Sequence, residues 1–355
     1  MVTLGRSKPN SLKSKALLLC QLFFLTISWV VMPSLFAQAQ IHSPAEILKI
    51  MEASSLSYSV GVLENPVVTP DYAQKMNGNG YYRIVNDSNL VTYSYKPGRA
   101  AREYFDEAEK SYSNKNFASA GYSYQKALGA DSSYYLMYTY IGQMAEHAGK
   151  FDEAISWYHK AVKHNFIDYM AHWFMADNLL KMGNKKDALH EITIAHILNR
   201  NNPRLLESLK NIWKAAGLMY DPWYFTPQCI IAKKDTHTIS VEFEANWLGY
   251  AMPKAVWKYE PGYKASMGVN ENTAFSTVEE RECLASLYLI LKNSKVKMKK
   301  FPAFRTLETA IDKKMLDAYI FYEIILPQQP FVAYQLSEPI IGTIADYLLQ
   351  VRGRD

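Results

Sequence analysis

The sequence has little cysteine, and almost no net charge remains once its amino-terminal segment is set aside. It contains 3 cysteines, and 39 lysines and arginines against 34 acidic residues. Four of the basic residues, Arg6, Lys8, Lys13 and Lys15, lie in the first 39 residues, which hold no acidic residue. Without these four, the chain has 35 basic and 34 acidic side chains. This balance gives no support for a nucleic-acid partner.

Motifs for a bound metal are also missing. The sequence has no CxxC, no HExxH and no paired Cys/His spacing, so we predict no metal site and no cofactor. Beyond residue 39 the cysteines are Cys229 and Cys283. In an exported protein such a pair can form a disulfide or remain as two buried thiols, and the sequence leaves both states open.

The first 39 residues have the pattern of a signal peptide. A basic start is followed by a largely apolar run, Ala16 to Phe36, and by the small-x-small sequence Ala37-Gln38-Ala39. We therefore expect cleavage after Ala39 and an exported protein, either periplasmic or secreted. The alternative is a retained membrane anchor, since the run is almost long enough to span a bilayer. Contact with a membrane is expected only in that case.

Between Ala101 and Asn202 the sequence repeats every 34 residues. Five positions of the repeat hold similar residues in all three copies, and three of these positions hold small residues. The columns are Ala120, Ala154 and Ala188; Ala127, Ala161 and Ala195; Ala108, Gly142 and Ala176; Tyr124, Tyr158 and Ile192; and Tyr104, Tyr138 and His172. Such a period predicts two antiparallel helices per unit, with small residues where the helix axes approach closely.

This pattern resembles the tetratricopeptide repeat family, although Glu107, Lys115 and Arg200 depart from it. The resemblance implies a superhelical stack whose inner surface holds peptides or partner proteins. It predicts helices near 133–147 and 151–164 in the second unit, and near 168–181 and 185–198 in the third. Pro203 should begin a further helix that caps the stack.

The family's geometry places one face of each first helix on the inner surface. The residues that this implies as partner-binding are Phe105, Glu109, Tyr140, Gln143, His147, Trp173, Phe174, Asp177 and Lys181. Asp106 and Ser113 share the same stripe. One subset of the family clamps a terminal carboxylate with basic residues. Phe105 and Glu109 stand at the corresponding positions here and cannot bind an anion, so recognition of that kind is disfavoured.

The predicted fold is mainly α: a tetratricopeptide-like solenoid, a small amino-terminal hairpin cap and a mostly helical carboxy-terminal domain containing a short β-hairpin. The boundaries are 1–39 for the signal peptide, 40–98 for the amino-terminal helix and hairpin, 99–217 for the repeats with their capping helix, and 218–355 for the last domain. The hairpin of residues 81–85 and 90–95 should cap the open end of the stack. Strands are expected at 229–232 and 239–244, and one long helix at 305–326.

Two clusters of charged residues lie in the carboxy-terminal region. Asp235, His237, Glu242 and Glu244 have the residue types of acid–base chemistry, but they also fit the solvated face of a strand, and no nucleophile accompanies them. The lysines between 292 and 300 fit either an anion-binding strip or a protected edge strand. We therefore predict no catalytic residue.

The sequence favours an exported, non-catalytic scaffold that binds a peptide or a partner protein of the cell envelope in the repeat groove. The alternative is an envelope enzyme or glycan-binding protein whose site lies in the carboxy-terminal domain, with the repeats as a docking platform. Whether the chain is an enzyme is left open.

The signal-peptide hypothesis predicts the mass of the exported protein. Because cleavage should follow Ala39, the mature chain should begin at Gln40, and intact mass spectrometry of protein from the cell envelope measures this. A mass that includes the first 39 residues would instead indicate a membrane-anchored protein.

Overall fold

The computed structural model of this chain describes residues 41–86, 89–273, 275–294 and 296–354. The predicted signal peptide therefore lies outside the described residues. The chain divides into two compact units. The first unit joins the chain up to Pro70 with Trp223–Ile320, and the second joins Asp71–Pro222 with the chain from Phe321 onwards. This division differs from the predicted boundaries because each unit combines segments that are distant in the sequence.

Helices and strands are numbered here in chain order. Those before the repeats are α1 (Pro44–Ala53), β1 (Ser57–Val62), β2 (Tyr81–Asn86) and β3 (Asn89–Ser94). The repeat region holds α2 (Arg99–Ser113), α3 (Phe117–Ala130), α4 (Leu136–His147), α5 (Phe151–His164), α6 (Tyr169–Lys181), α7 (Lys185–Leu198) and α8 (Pro203–Ala215). Next come β4 (Met219–Tyr220), β5 (Cys229–Lys233), β6 (Thr238–Phe243), α9 (Leu248–Tyr259), α10 (Tyr263–Ser266) and α11 (Thr277–Asn293). The last are α12 (Pro302–Asp312), α13 (Leu316–Tyr319), α14 (Leu326–Gln328), α15 (Glu338–Tyr347) and β7 (Gly353–Arg354).

The repeat region consists of three helix pairs, α2 with α3, α4 with α5 and α6 with α7. The helices predicted for the second and third units are confirmed to within a few residues. All six alanines of the two alanine columns are at most 1% exposed. At Gly142 an added Cβ would lie 2.7 Å from the ring of Tyr158, so the helices approach too closely there for any side chain.

The turn inside each pair depends on one residue in the left-handed conformation. Gly149 (φ 72°) and Gly183 (φ 84°) occupy this position in the second and third pairs, and Gly217 (φ 85°) follows α8 at the same spacing. In the first pair the residue is Lys115, with φ 59°. A side chain is strained in this conformation, which explains why glycine stands at the other three places.

The hairpin β2–β3 lies along the loops that join successive repeats. Asp131, Asn165 and Asn199 follow α3, α5 and α7 at intervals of 34 residues. Each side chain hydrogen-bonds the segment 77–95; the partners are, in the same order, the Tyr95 hydroxyl, the Tyr81 carbonyl and the Asn77 main chain. The cap therefore covers the loop edge of the stack, and not its open end as predicted, because the polar groups of the loops need partners.

In the second unit, residues from 321 onwards pack on α7. His196 of this helix is fully buried, and its Nε2 lies 2.9 Å from the hydroxyl of Tyr322. Burial, together with Arg200 and Arg352, lowers the pKa of His196 well below its ordinary value, so this imidazole is neutral. Arg352 also forms a buried ion pair with Glu323 at 3.3 Å. These contacts fix the end of the described chain to α7, the second helix of the third pair.

The first unit contains a three-stranded sheet in the order β1-β6-β5. The predicted hairpin of β5 and β6 is confirmed, and β1 pairs with β6 in parallel from Ser57 to Val62. The helix α9 packs on this sheet and crosses α11 at Gly249, where an added Cβ would lie 2.7 Å from the Cα of Leu287. Only glycine permits this backbone contact.

One sequence prediction for this half of the chain is wrong. The single helix of residues 305–326 is two helices, α12 and α13, because the chain turns between them at Lys314, which has φ 59°. Of the two interpretations left open for the lysines between 292 and 300, the edge strand finds no support at residues 298–300, which form one turn of 3₁₀ helix. A π-helical segment, Ile320–Ile325, then continues α13.

Among the described residues no helix is both long and apolar enough to cross a membrane. Cys229 and Cys283 are free thiols. Burial raises the pKa of both thiols, that of Cys229 to about 11, so both are protonated at neutral pH.

The alanine columns yield a stability test. Ala154 is fully buried between helices, so Ala154→Leu should lower the free energy of unfolding by about 1–3 kcal/mol through overpacking. Asp152→Leu, two residues away and exposed, should change it by about 0.5 kcal/mol at most. Urea denaturation of both variants measures the difference, and equal midpoints would contradict the close helix crossing.

Candidate functional site

The nine predicted partner-binding residues lie on α2, α4 and α6, the first helices of the three pairs. They are named here the first-helix face. His147 and Lys181 are exposed, and the other seven side chains are half-buried: Phe105, Glu109, Tyr140, Gln143, Trp173, Phe174 and Asp177. Spacing within each helix puts them on one side of it, and the repeat register carries that side from pair to pair.

Aromatic rings pack together at the amino-terminal end of this face. The ring of Tyr140 is stacked on that of Tyr124 from α3, with centroids 5.2 Å apart, and lies 6.0 Å from that of Phe105. The side-chain amide of Asn79 donates a hydrogen bond of 3.3 Å to the Tyr140 hydroxyl. Because its ring is half-buried in these contacts, Tyr140 both stabilises the first two repeats and contributes surface.

Two carboxylates occupy equivalent positions two repeats apart. Glu109 accepts a hydrogen bond of 2.5 Å from the hydroxyl of Tyr124, and Asp177 accepts one of 2.9 Å from the hydroxyl of Ser208 in α8. Burial raises the pKa of Asp177, while the bond from Ser208 opposes this shift. A hydroxyl group is thus a direct hydrogen-bond partner of each carboxylate, and Lys181 and Trp173 also oppose the rise in the pKa of Asp177.

The middle of the face is partly used for packing between repeats. The amide of Gln143 reaches the hydroxyl of Tyr112 at 3.5 Å, which is the limit of a hydrogen bond. The ring of His147 stacks on Phe117 with centroids 4.0 Å apart and planes at 5°. One ring face of this histidine is therefore occupied, although its side chain is exposed.

The third pair contributes two large aromatic side chains. The rings of Trp173 and Phe174 lie 5.8 Å apart, and Phe174 also lies 6.2 Å from Tyr158 of the preceding repeat. Lys181, at the end of α6, forms an ion pair of 2.6 Å with Glu146 of α4. This pair links neighbouring first helices across the face.

The enzyme-like cluster of the sequence does not converge. The carboxylate of Asp235 accepts hydrogen bonds from the main chain of His237 and Thr238, which makes it a turn residue. Glu242 binds its neighbour Ser240, and Glu244 binds Asn246. In the described part of the chain no group of three or more His, Cys, Asp or Glu side chains could hold a metal ion.

A buried acidic network in the first unit was not predicted from the sequence. Glu279, Glu280 and Glu282 on α11 are at most 8% exposed. Lys254 forms ion pairs with the first two, and Glu282 accepts hydrogen bonds from three residues: His42, Trp257 and Tyr263. The available signal was Glu280, which stands four and seven residues before Leu284 and Leu287 and so continues the apolar stripe of the helix. Because each carboxylate is bonded within the unit, removing one of its partners would leave a buried charge uncompensated and destabilise the fold.

Among known proteins, this chain is similar only to solved structures in the comparisons made. No family model matches the chain, and no curated protein matches it. The first tetratricopeptide repeat domain of Spaghetti (RPAP3), bound to an HSP90 peptide, is 19% identical, with 34% of this chain and 94% of that chain covered and a TM-score of 0.32. The type III secretion chaperone SycD of Yersinia enterocolitica, in complex with a peptide of the translocator YopD, is 18% identical over 34% and 96%, with a TM-score of 0.31.

A third structure, the MamA protein, is 14% identical and covers 68% of this chain and 98% of its own, with a TM-score of 0.31. Residues 101–202 form a tetratricopeptide-like stack. The helix pairs, the buried alanine columns and the recurring left-handed turns of this chain carry that assignment.

Proposed function

We propose that this protein is an exported, non-catalytic scaffold of the cell envelope that binds a peptide or partner protein on the first-helix face. The observation that carries the proposal is the state of the aromatic residues on that face. Phe105, Tyr140, Trp173 and Phe174 each keep part of their ring surface exposed in three consecutive repeats. Rigid aromatic side chains flanked by hydrogen-bonding groups are typical of the centres of protein interfaces.

The location of the later chain elements supports an open face. In the second unit, the residues after 320 make their main contacts with the repeats on α7, which is a second helix of its pair. Export is supported by the basic and apolar amino-terminal sequence and by Ala37-Gln38-Ala39. The partner is then another envelope protein.

Replacement of Trp173 tests the proposal. A partner is first captured from the envelope with the tagged protein, and its affinity is then measured by titration calorimetry. Trp173→Ala should weaken binding by about 2 kcal/mol or more if this side chain lies at the centre of the interface.

Tyr122→Ala is the matched control, because Tyr122 is 61% exposed on α3, away from the first-helix face. It should leave both affinity and melting temperature almost unchanged. Equal affinities for wild type, Trp173→Ala and Tyr122→Ala, in proteins with cooperative melts, would exclude the first-helix face as the binding site.

A further inference from the structure

Two carboxylates of the first-helix face, Glu109 and Asp177, form no ion pair among the described residues. Two basic side chains at this surface already have partners: Arg102 pairs with Asp106 at 3.1 Å, and Lys181 pairs with Glu146 at 2.6 Å. Glu109 accepts a hydrogen bond from the hydroxyl of Tyr124, and Asp177 accepts one from the hydroxyl of Ser208. The charge of Lys181, which is itself paired with Glu146, also opposes the rise in the pKa of Asp177 that burial causes.

A half-buried carboxylate is costly, because it loses water on burial. Burial raises the pKa of Asp177 although its hydrogen bonds and the charge of Lys181 oppose this shift. The groups that stabilise these carboxylates offset only part of this loss. A positively charged group brought by a partner would supply the missing compensation, and an acidic partner would increase the cost. The face is therefore complementary to a cationic ligand.

The repeat geometry gives the distance between the two negative points. The first helices α4 and α6 are in direct contact, although each packs mainly on second helices. With the separation of packed helices, about 8–10 Å, for each step between first helices, the same position two repeats along is about 16–20 Å away. An extended peptide advances about 3.3 Å per residue, which makes this distance about five or six residues. The half-exposed ring of Tyr140 lies on the intervening helix, α4.

We propose that the partner docks through an extended segment that carries two lysine or arginine side chains about five or six residues apart, with an apolar side chain between them. One cation lies at Glu109, the other at Asp177, and the apolar side chain lies on Tyr140. This inference rests on the proposed function and specifies the chemistry of the partner.

Binding of synthetic peptides tests this inference, and it is measured with the full-length protein in the form that its host produces. The first probe is a blocked, fluorescent peptide of about twelve residues with two lysines about six residues apart and a central tryptophan in a Gly–Ser background. The second has glutamate in place of both lysines. The first should bind with an affinity that falls as salt rises, and the second should bind at least about tenfold more weakly.

Paired substitutions locate the charges. Glu109→Gln with Asp177→Asn keeps acceptors for Tyr124 and Ser208, so the fold should persist, and it should weaken the lysine peptide about tenfold or more. The control removes two exposed acids elsewhere, by Glu103→Gln with Glu153→Gln, which matches the change in net charge. This control should leave binding of the lysine peptide almost unchanged.

Three results would overturn the inference: equal binding of the two peptides, no binding of either, or equal losses in the two double variants. Binding of the captured partner to these variants distinguishes failure of this inference from failure of the proposed function. If its binding falls with Trp173→Ala but survives Glu109→Gln with Asp177→Asn, the face binds the partner and the cationic assignment is wrong. If neither change affects it, both proposals fail.

Discussion

The close crossing of helices at small residues is the constraint on which the second unit depends. Ala120, Ala154 and Ala188 are fully buried, and at Gly142 not even a methyl group would fit beside Tyr158. This contact sets the distance between the two helices of a pair. Its repetition every 34 residues sets the register between pairs, and that register alone brings residues of α2, α4 and α6 onto one face.

The sequence predicted this core well because its signal is local and repeated. The left-handed turns at Gly149 and Gly183 can also be predicted from the sequence, since glycine is the residue that such a turn favours. The strand β1 was missed because it is stabilised by a parallel partner about 180 residues away, which no local pattern reveals. The same long-range pairing explains why the two compact units do not follow the predicted boundaries.

The candidate site was predictable in its position and not in its interactions. The register identifies which residues share the first-helix face, and that part needs only the spacing. The repeat register does not predict that His147 stacks on Phe117, or that Glu109 and Asp177 accept hydrogen bonds from hydroxyl groups. The column Asp131, Asn165 and Asn199, which binds the segment 77–95, was visible at the same spacing. Its role was not, because its partners lie far away in the sequence.

The central claim is that the first-helix face contacts a partner protein, and site-specific cross-linking in the living host tests it most directly. Trp173 is replaced by a photoreactive phenylalanine analogue in one chain, and Tyr122 of α3 is replaced in another. We expect irradiation to join the first chain to one defined protein, at one segment that mass spectrometry identifies, and to leave the second chain unlinked. Equal adducts from both positions, or adducts at position 173 to this chain alone, would contradict the claim.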